Sequence, residues 1–232
     1  MITVVGTGHV FKIAEPVSFI VRNTWPDAVL VELDAKRYDA LVKGSGGSGK
    51  SGASGFYRRS AKYQDRVSEM NETQTGSELL AAINAGVLAG AEIICIDMDA
   101  ERAVNEMWEE MPFSERLRYN ISSFRDSVFK RRGIGKIGRS PENDADYVEE
   151  MRRRYPTLVR KLIDERDEHM SAQICKAAET YANIVVVVGD AHVQGLVRLI
   201  GRDDVATVRL CELLDREKLD KVKARIWGGD TG

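Results

Sequence analysis

An α/β fold, with a mixed central β-sheet flanked by helices, is what three features of this sequence predict. A run of β-branched residues stops at a glycine, and a histidine follows three positions later: Ile2, Thr3, Val4, Val5, Gly6, Thr7, Gly8, His9. The same phrase recurs near the other end as Ile184, Val185, Val186, Val187, Val188, Gly189, Asp190, Ala191, His192. Each copy continues into a helical stretch and a second β-rich segment, Ala28 to Leu33 in one and Ala206 to Leu210 in the other, so each reads as a β-α-β unit. The expectation is two units related by internal duplication, each carrying a G-x-x-H motif.

Apolar runs without alternation suit strands covered on both faces. In such a sheet, ligands and reactive groups collect beyond the carboxyl ends of the strands. The chain has only 3 histidines, so two at one motif offset point to a two-histidine site.

The elements between the motifs follow in order. Asp34 to Lys43 has helical character. Gly44 to Gly55 collapses into glycine and serine and reads as a flexible linker, with an engineered replacement of a more apolar native segment left open. Its register fits a phosphate loop at Gly44, Gly49, Lys50 and Ser51. Such a loop needs a buried strand before it and a helix opening at the lysine, and this segment has neither pattern. Ser77 is a candidate N-cap for a helix over Glu78 to Ala89, and Gly90 its C-cap. A strand over Glu92 to Ile96 ends in Asp97 and Asp99. Two charged helical regions follow, Arg102 to Arg131 and Asp144 to Ala182, separated by the segment Gly133 to Pro141. The second is expected to break near Pro156, because proline disfavours helix at the residue before it. Leu158, Leu162 and Ile163, then Met170, Ile174 and Ala177, form the stripe a helix would bury. Leu213 to Ile226 reads as a charged surface helix.

With 232 residues and 43% hydrophobic content, the chain can bury a core without disulfides, as one globular domain over residues 1–232. Lys plus Arg number 34 against 36 for Asp plus Glu, so there is no basic excess for a phosphate backbone and nucleic acid is argued against. Cys95, Cys175 and Cys211 are odd in number and far apart, which suits reduced thiols. No cationic start precedes an apolar stretch, and no apolar run reaches about 18 residues. The expectation is a chain without a signal peptide or membrane contact, in the cytoplasm or at the cytoplasmic face of a membrane.

His9 and His192 are the first candidates for chemistry, because neutral imidazole is a common ligand for transition metals. The bland alternative is an imidazole that caps a helix or packs under a loop. Glu32, after the strand Val29 to Val31, would reach the same sheet edge as a third ligand or a general base. Alternatively it pairs with Lys36 or Arg37. Arg166 could stabilise an oxyanion or a substrate carboxylate, or belong to a solvated ion-pair face. Asp97 and Asp99 could enter the same cleft, and Asp190 is placed to hydrogen-bond an imidazole. His169 has no such partner pattern and reads as surface or helix packing.

Taken in order, Gly6 to His9, Val31 to Asp34 with Arg37 and Tyr38, Gly76 to Glu78, Ala81 to Ala85, Ile96 and Asp97, Glu165 to Asp167 with Met170, and Val188 to Val193 with Gly195 resemble the TraB/PrgY pheromone-shutdown family. That family is related to the Tiki metalloproteases and, distantly, to erythromycin esterase and ChaN. The resemblance implies a metal-dependent site with His9, His192 and Glu32 as metal ligands and with Glu32 and Arg166 in catalytic roles. Manganese, cobalt and zinc are all compatible with it. It further implies hydrolysis of a peptide amide or a small ester or amide, or in a non-hydrolytic branch the binding of a metal, haem or peptide signal. Homo-oligomerisation is left open. Two departures stand out: Met98 follows Asp97 where relatives have arginine, and archaeal relatives continue into membrane helices, which implies a membrane-anchored full-length protein.

Overall fold

A computed structural model describes residues 1–8, 11–42, 76–120 and 144–228. His9, the segment Gly44 to Gly55 and the segment Gly133 to Pro141 lie outside the described residues. The expected α/β class holds. The sheet has five strands, β1 (Ile2–Thr7), β2 (Ala28–Val31), β3 (Glu92–Cys95), β4 (Ile184–Gly189) and β5 (Val205–Val208), in the order β3-β2-β4-β1-β5. Where a mixed sheet was expected, all four strand pairs are parallel. Parallel strands need crossover connections, and the helices that supply them cover both faces.

The two β-α-β units interleave. From β1 the chain crosses over β4 to reach β2, and from β4 it crosses over β1 to reach β5. These steps run in opposite directions across the sheet, so a right-handed crossover in each sends the two helices to opposite faces. Helix α1 (Ala14–Thr24) places Val17, Ile20 and Val21 against Val5, Val29, Val31, Val185 and Val187. The helix after β4 (Asp190–Ile200) places Val193, Leu196 and Ile200 against Val4, Leu30, Val186 and Val188 on the other face. Odd and even valines of one strand thus feed different cores, as the two-residue period of a strand requires.

The remaining helices complete the two layers. After α2 (Ala35–Val42), helix α3 (Ser77–Ala89) joins the α1 side through Leu79, Ala82, Ile83 and Ala85. Gly76, at φ 81°, precedes it and Ser77 is its first residue, one position inside the predicted cap. Gly90 ends it at φ 78°, as expected. Helix α4 (Ala100–Glu110) is capped by Asp99, and residues 113–120 are helical. Helix α5 (Asp144–Arg154) stops at Tyr155, whose extended backbone (φ −138°, ψ 67°) precedes Pro156. A short α6 (Pro156–Val159) then widens into a π-helical turn, Arg160–Asp164, before α7 (Glu165–Ala177). Of the predicted stripe, Met170, Ile174 and Ala177 enter the core, while Leu158, Leu162 and Ile163 are half-buried. With Asp190–Ile200 as α8, the chain ends in α9 (Leu210–Leu214) and α10 (Arg216–Trp227).

Among the described residues, no helix is long and apolar enough to cross a membrane.

Candidate functional site

Strands β1 and β4 are neighbours whose following segments leave for opposite faces. That divergence opens a crevice at the carboxyl edge, the place where α/β sheets hold ligands. The register pairs Thr7 with Gly189, so both G-x-x-H motifs begin at this one edge. Gly6 has to be small here, because a Cβ on it would overlap the Asp190 carboxylate.

His192 stands in the first turn of α8 and is 4% exposed. Its Nδ1 lies 2.6 Å from Asp167 Oδ1, and its Nε2 lies 3.3 Å from Arg166 Nη1 and 3.6 Å from Glu32 Oε1. A guanidinium can only donate and an ionised carboxylate can only accept. The two neighbours therefore select the tautomer with the proton on Nδ1 and the lone pair on Nε2. Asp167 is 4% exposed, and burial pushes its carboxyl above the ordinary range against the opposing pull of His192. Gly195 makes room for it, since a Cβ there would collide with Asp167 Oδ2.

Glu32 follows β2 at the same edge. It is buried, and the Gly189 amide donates to its Oε2 at 2.5 Å. Its Oε1 accepts from Arg166 Nη2, while Lys36 donates to Asp99 and Arg37 to Asp97. Asp97, after β3, receives Arg166 side-on, Nε to Oδ1 at 3.0 Å and Nη2 to Oδ2 at 2.7 Å. It also accepts from Arg37 Nη1 at 3.0 Å. Arg166 is presented by α7 just after the π-helical turn, and its Nη1 donates to the Leu162 carbonyl inside that turn at 3.2 Å. Such turns interrupt helices frequently at functional sites. Burial works against the charge of Arg166, but Glu32 and Asp97 more than offset this and hold its pKa above the ordinary value.

Glu32, Arg166 and His192 are therefore brought together. Asp97 joins them, while Asp99 instead caps α4 through the Arg102 amide and pairs with Lys36. Asp190 is corrected too: it binds Arg209 side-on and the Leu210 amide, and Asp167 takes the imidazole. His169 is half-buried on α7. Asp167 and Arg37 were missed as site residues, although each adjoins a residue that was singled out or belongs to a quoted motif. A cavity of about 330 Å³ opens on the far side of the pair, walled by Asp164, Asp167, Asp190, Gln194 and Arg198 but by neither His192 nor Glu32.

The donor set can be weighed against a divalent metal. His192 Nε2 and Glu32 Oε1 face the same point, and a carboxylate behind the other imidazole nitrogen is the usual support of a metal-bound histidine. Both atoms already meet Arg166, Nε2 through Nη1 and Oε1 through Nη2, so they could serve as two ligands of such an ion only with that guanidinium displaced. Among the described residues, no cluster of three or more His, Cys, Asp or Glu side chains is disposed to hold one.

Comparison with known proteins adds the family dimension. The model of the TraB/PrgY/gumN family matches residues 1–204. An uncharacterized protein of Methanocaldococcus jannaschii is 26% identical over 235 residues, covering 94% of this chain and 58% of its own length. The chain thus spans little more than half of that relative.

Proposed function

From the premise that this chain belongs to the TraB/PrgY/gumN family, we propose that it is a metal-dependent hydrolase acting on a peptide amide or ester bond. The observation that carries the reading is the His192 tautomer. Nδ1 lies against the buried Asp167 carboxylate, and Nε2, which meets Arg166 Nη1, stands 3.6 Å from Glu32 Oε1. His192 and Glu32 would hold the ion, with His9 as the third ligand. A manganese, cobalt or zinc ion supplies Lewis acidity and lowers the pKa of water bound to it.

The chain's own groups do the rest. Asp167 keeps the imidazole in its ligating form and fixes the ring. A carboxylate at this edge can ligate a metal or take a proton from attacking water, and those are the two roles proposed for Glu32. Arg166 locks Glu32, Asp97 and His192 in one geometry. Burial of the group excludes bulk water and strengthens each of these contacts.

The closed network favours one other reading, a protein that binds a metal, haem or peptide without turning it over. Both Glu32 and Asp97 are already paired with Arg166 in the folded chain, and Asp97 with Arg37 as well. Hydrolysis of a peptide library with added manganese, cobalt or zinc separates the two. Metal-dependent cleavage that vanishes in His192→Ala and Glu32→Gln is expected, whereas ligand binding without turnover would favour the alternative.

A further inference from the structure

Two guanidinium groups meet on Asp97 at the carboxyl edge of the sheet, and their hydrogen bonds assign them different work. An arginine side chain has five N–H donors. Arg166 commits all of them inside the protein: Nε to Asp97, Nη2 to Glu32 and Asp97, Nη1 to the Leu162 carbonyl and His192. Its Nε and Nη2 cannot grip a bound molecule without loosening a buried carboxylate, nor its Nη1 without giving up the Leu162 carbonyl or the His192 ring.

Arg37 is built the other way. Its Nη1 donates to Asp97 Oδ2, a side chain that is 0% exposed, while its own side chain is 29% exposed. No further side-chain hydrogen bond or ion pair of Arg37 is made among the described residues. The free Nε–H and Nη2–H are the parallel pair that receives a carboxylate side-on. Arg166 uses that pair on Asp97, and Arg209 uses it on Asp190. Arg37 is thus anchored on the buried carboxylate shared with Arg166, and its open fork is partly in solvent at the start of α2.

We propose that Arg37 is the residue that receives an anionic group of the bound molecule, a carboxylate or a phosphate, and that Arg166 is a positioning residue. The inference rests on reading this crevice as the binding site. It narrows the substrate class to molecules with an oxyanion beside the reacting bond. Asp97 couples the two roles, because the carboxylate that fixes Arg166 also aims Arg37.

The test uses the intact chain without added metal, titrated with inorganic phosphate and, separately, with acetate. Arginine Nε–H resonances are followed by NMR and assigned by their loss in Arg37→Lys and Arg166→Lys. The Arg37 signal is expected to shift saturably while the Arg166 signal stays in place and exchanges slowly with solvent. Arg37→Lys keeps the charge but loses the fork, and should weaken binding by about tenfold, measured by calorimetry. Its unchanged melting temperature would exclude misfolding as the cause. Response to phosphate alone or acetate alone identifies which oxyanion the fork prefers. An Arg37 signal that ignores both anions, or an Arg166 signal that titrates in its place, overturns the assignment. Because neither metal nor turnover enters the measurement, its failure leaves the hydrolase reading standing, and a lack of hydrolysis leaves the anion contact standing.

Discussion

His192 Nδ1 and Asp167 Oδ1 lie 2.6 Å apart, both side chains about 5% exposed. The pair joins α7 to α8 and fixes which imidazole nitrogen faces the crevice. Asp167→Asn keeps an accepting oxygen and so preserves the ring orientation, but removes the charge behind it. Loss of such a supporting carboxylate typically lowers metal affinity about 10- to 100-fold, and that drop is expected in a zinc or manganese titration of the variant.

Stability should move the opposite way in the same variant. Burial raises the Asp167 pKa above its ordinary 3.8. A carboxyl with a raised folded pKa contributes stability that is full below its unfolded pKa and is lost as pH rises through the folded value. At neutral pH the ionised Asp167 is therefore a cost that asparagine does not carry. Melting temperatures from pH 3 to 7 are expected to show Asp167→Asn gaining on the parent chain as pH rises above about 4. A gap that is constant or narrows over this range would contradict the cause assigned here.

Arg166→Ala removes the guanidinium that bridges two buried carboxylates and leaves Asp97 only its contact with Arg37. Removing one partner of a buried pair costs about 3–5 kcal/mol, so the urea midpoint should fall sharply. Combining it with Asp97→Asn should recover part of the loss, because one of the two buried negative charges then goes with it. Strict additivity of the two changes would show that the contacts are not coupled.

Gly195→Ala and Gly6→Ala test two separate cradles. The added methyl collides with Asp167 in the first and with Asp190 in the second. Overpacking of this kind costs about 1–3 kcal/mol in either place. Only Gly195→Ala should also lower metal affinity, because only Asp167 touches His192. Equal loss of affinity in both would point to a general disturbance of the sheet edge.

The valine runs made the buried strands legible, and the glycine and histidine after each located the sheet edge. Strand order was not legible, because β-α-β patterning says nothing about which strand a crossover skips. The expected mixed sheet is instead parallel among the described strands, as β-α-β crossovers require. Glu32, Arg166 and His192 could be singled out because each lies in or beside a repeated or quoted motif. The partner of the imidazole could not. Asp190 is nearer in sequence, but the first turn of α8 directs it toward Arg209, whereas Asp167 reaches His192 from a different helix. The sequence offers Arg37 as a motif residue or a partner of Glu32, whereas its observed partner is a carboxylate 60 residues away.

The most direct measurement is metal content per chain, by elemental analysis after reconstitution with manganese, cobalt or zinc and removal of excess ion. About one equivalent should remain on the parent chain, with most of it lost in both His192→Ala and Glu32→Gln. Retention of the same amount in those two folded variants, or no retention by the parent with any of the three ions, would contradict a metal site at the edge between β1 and β4.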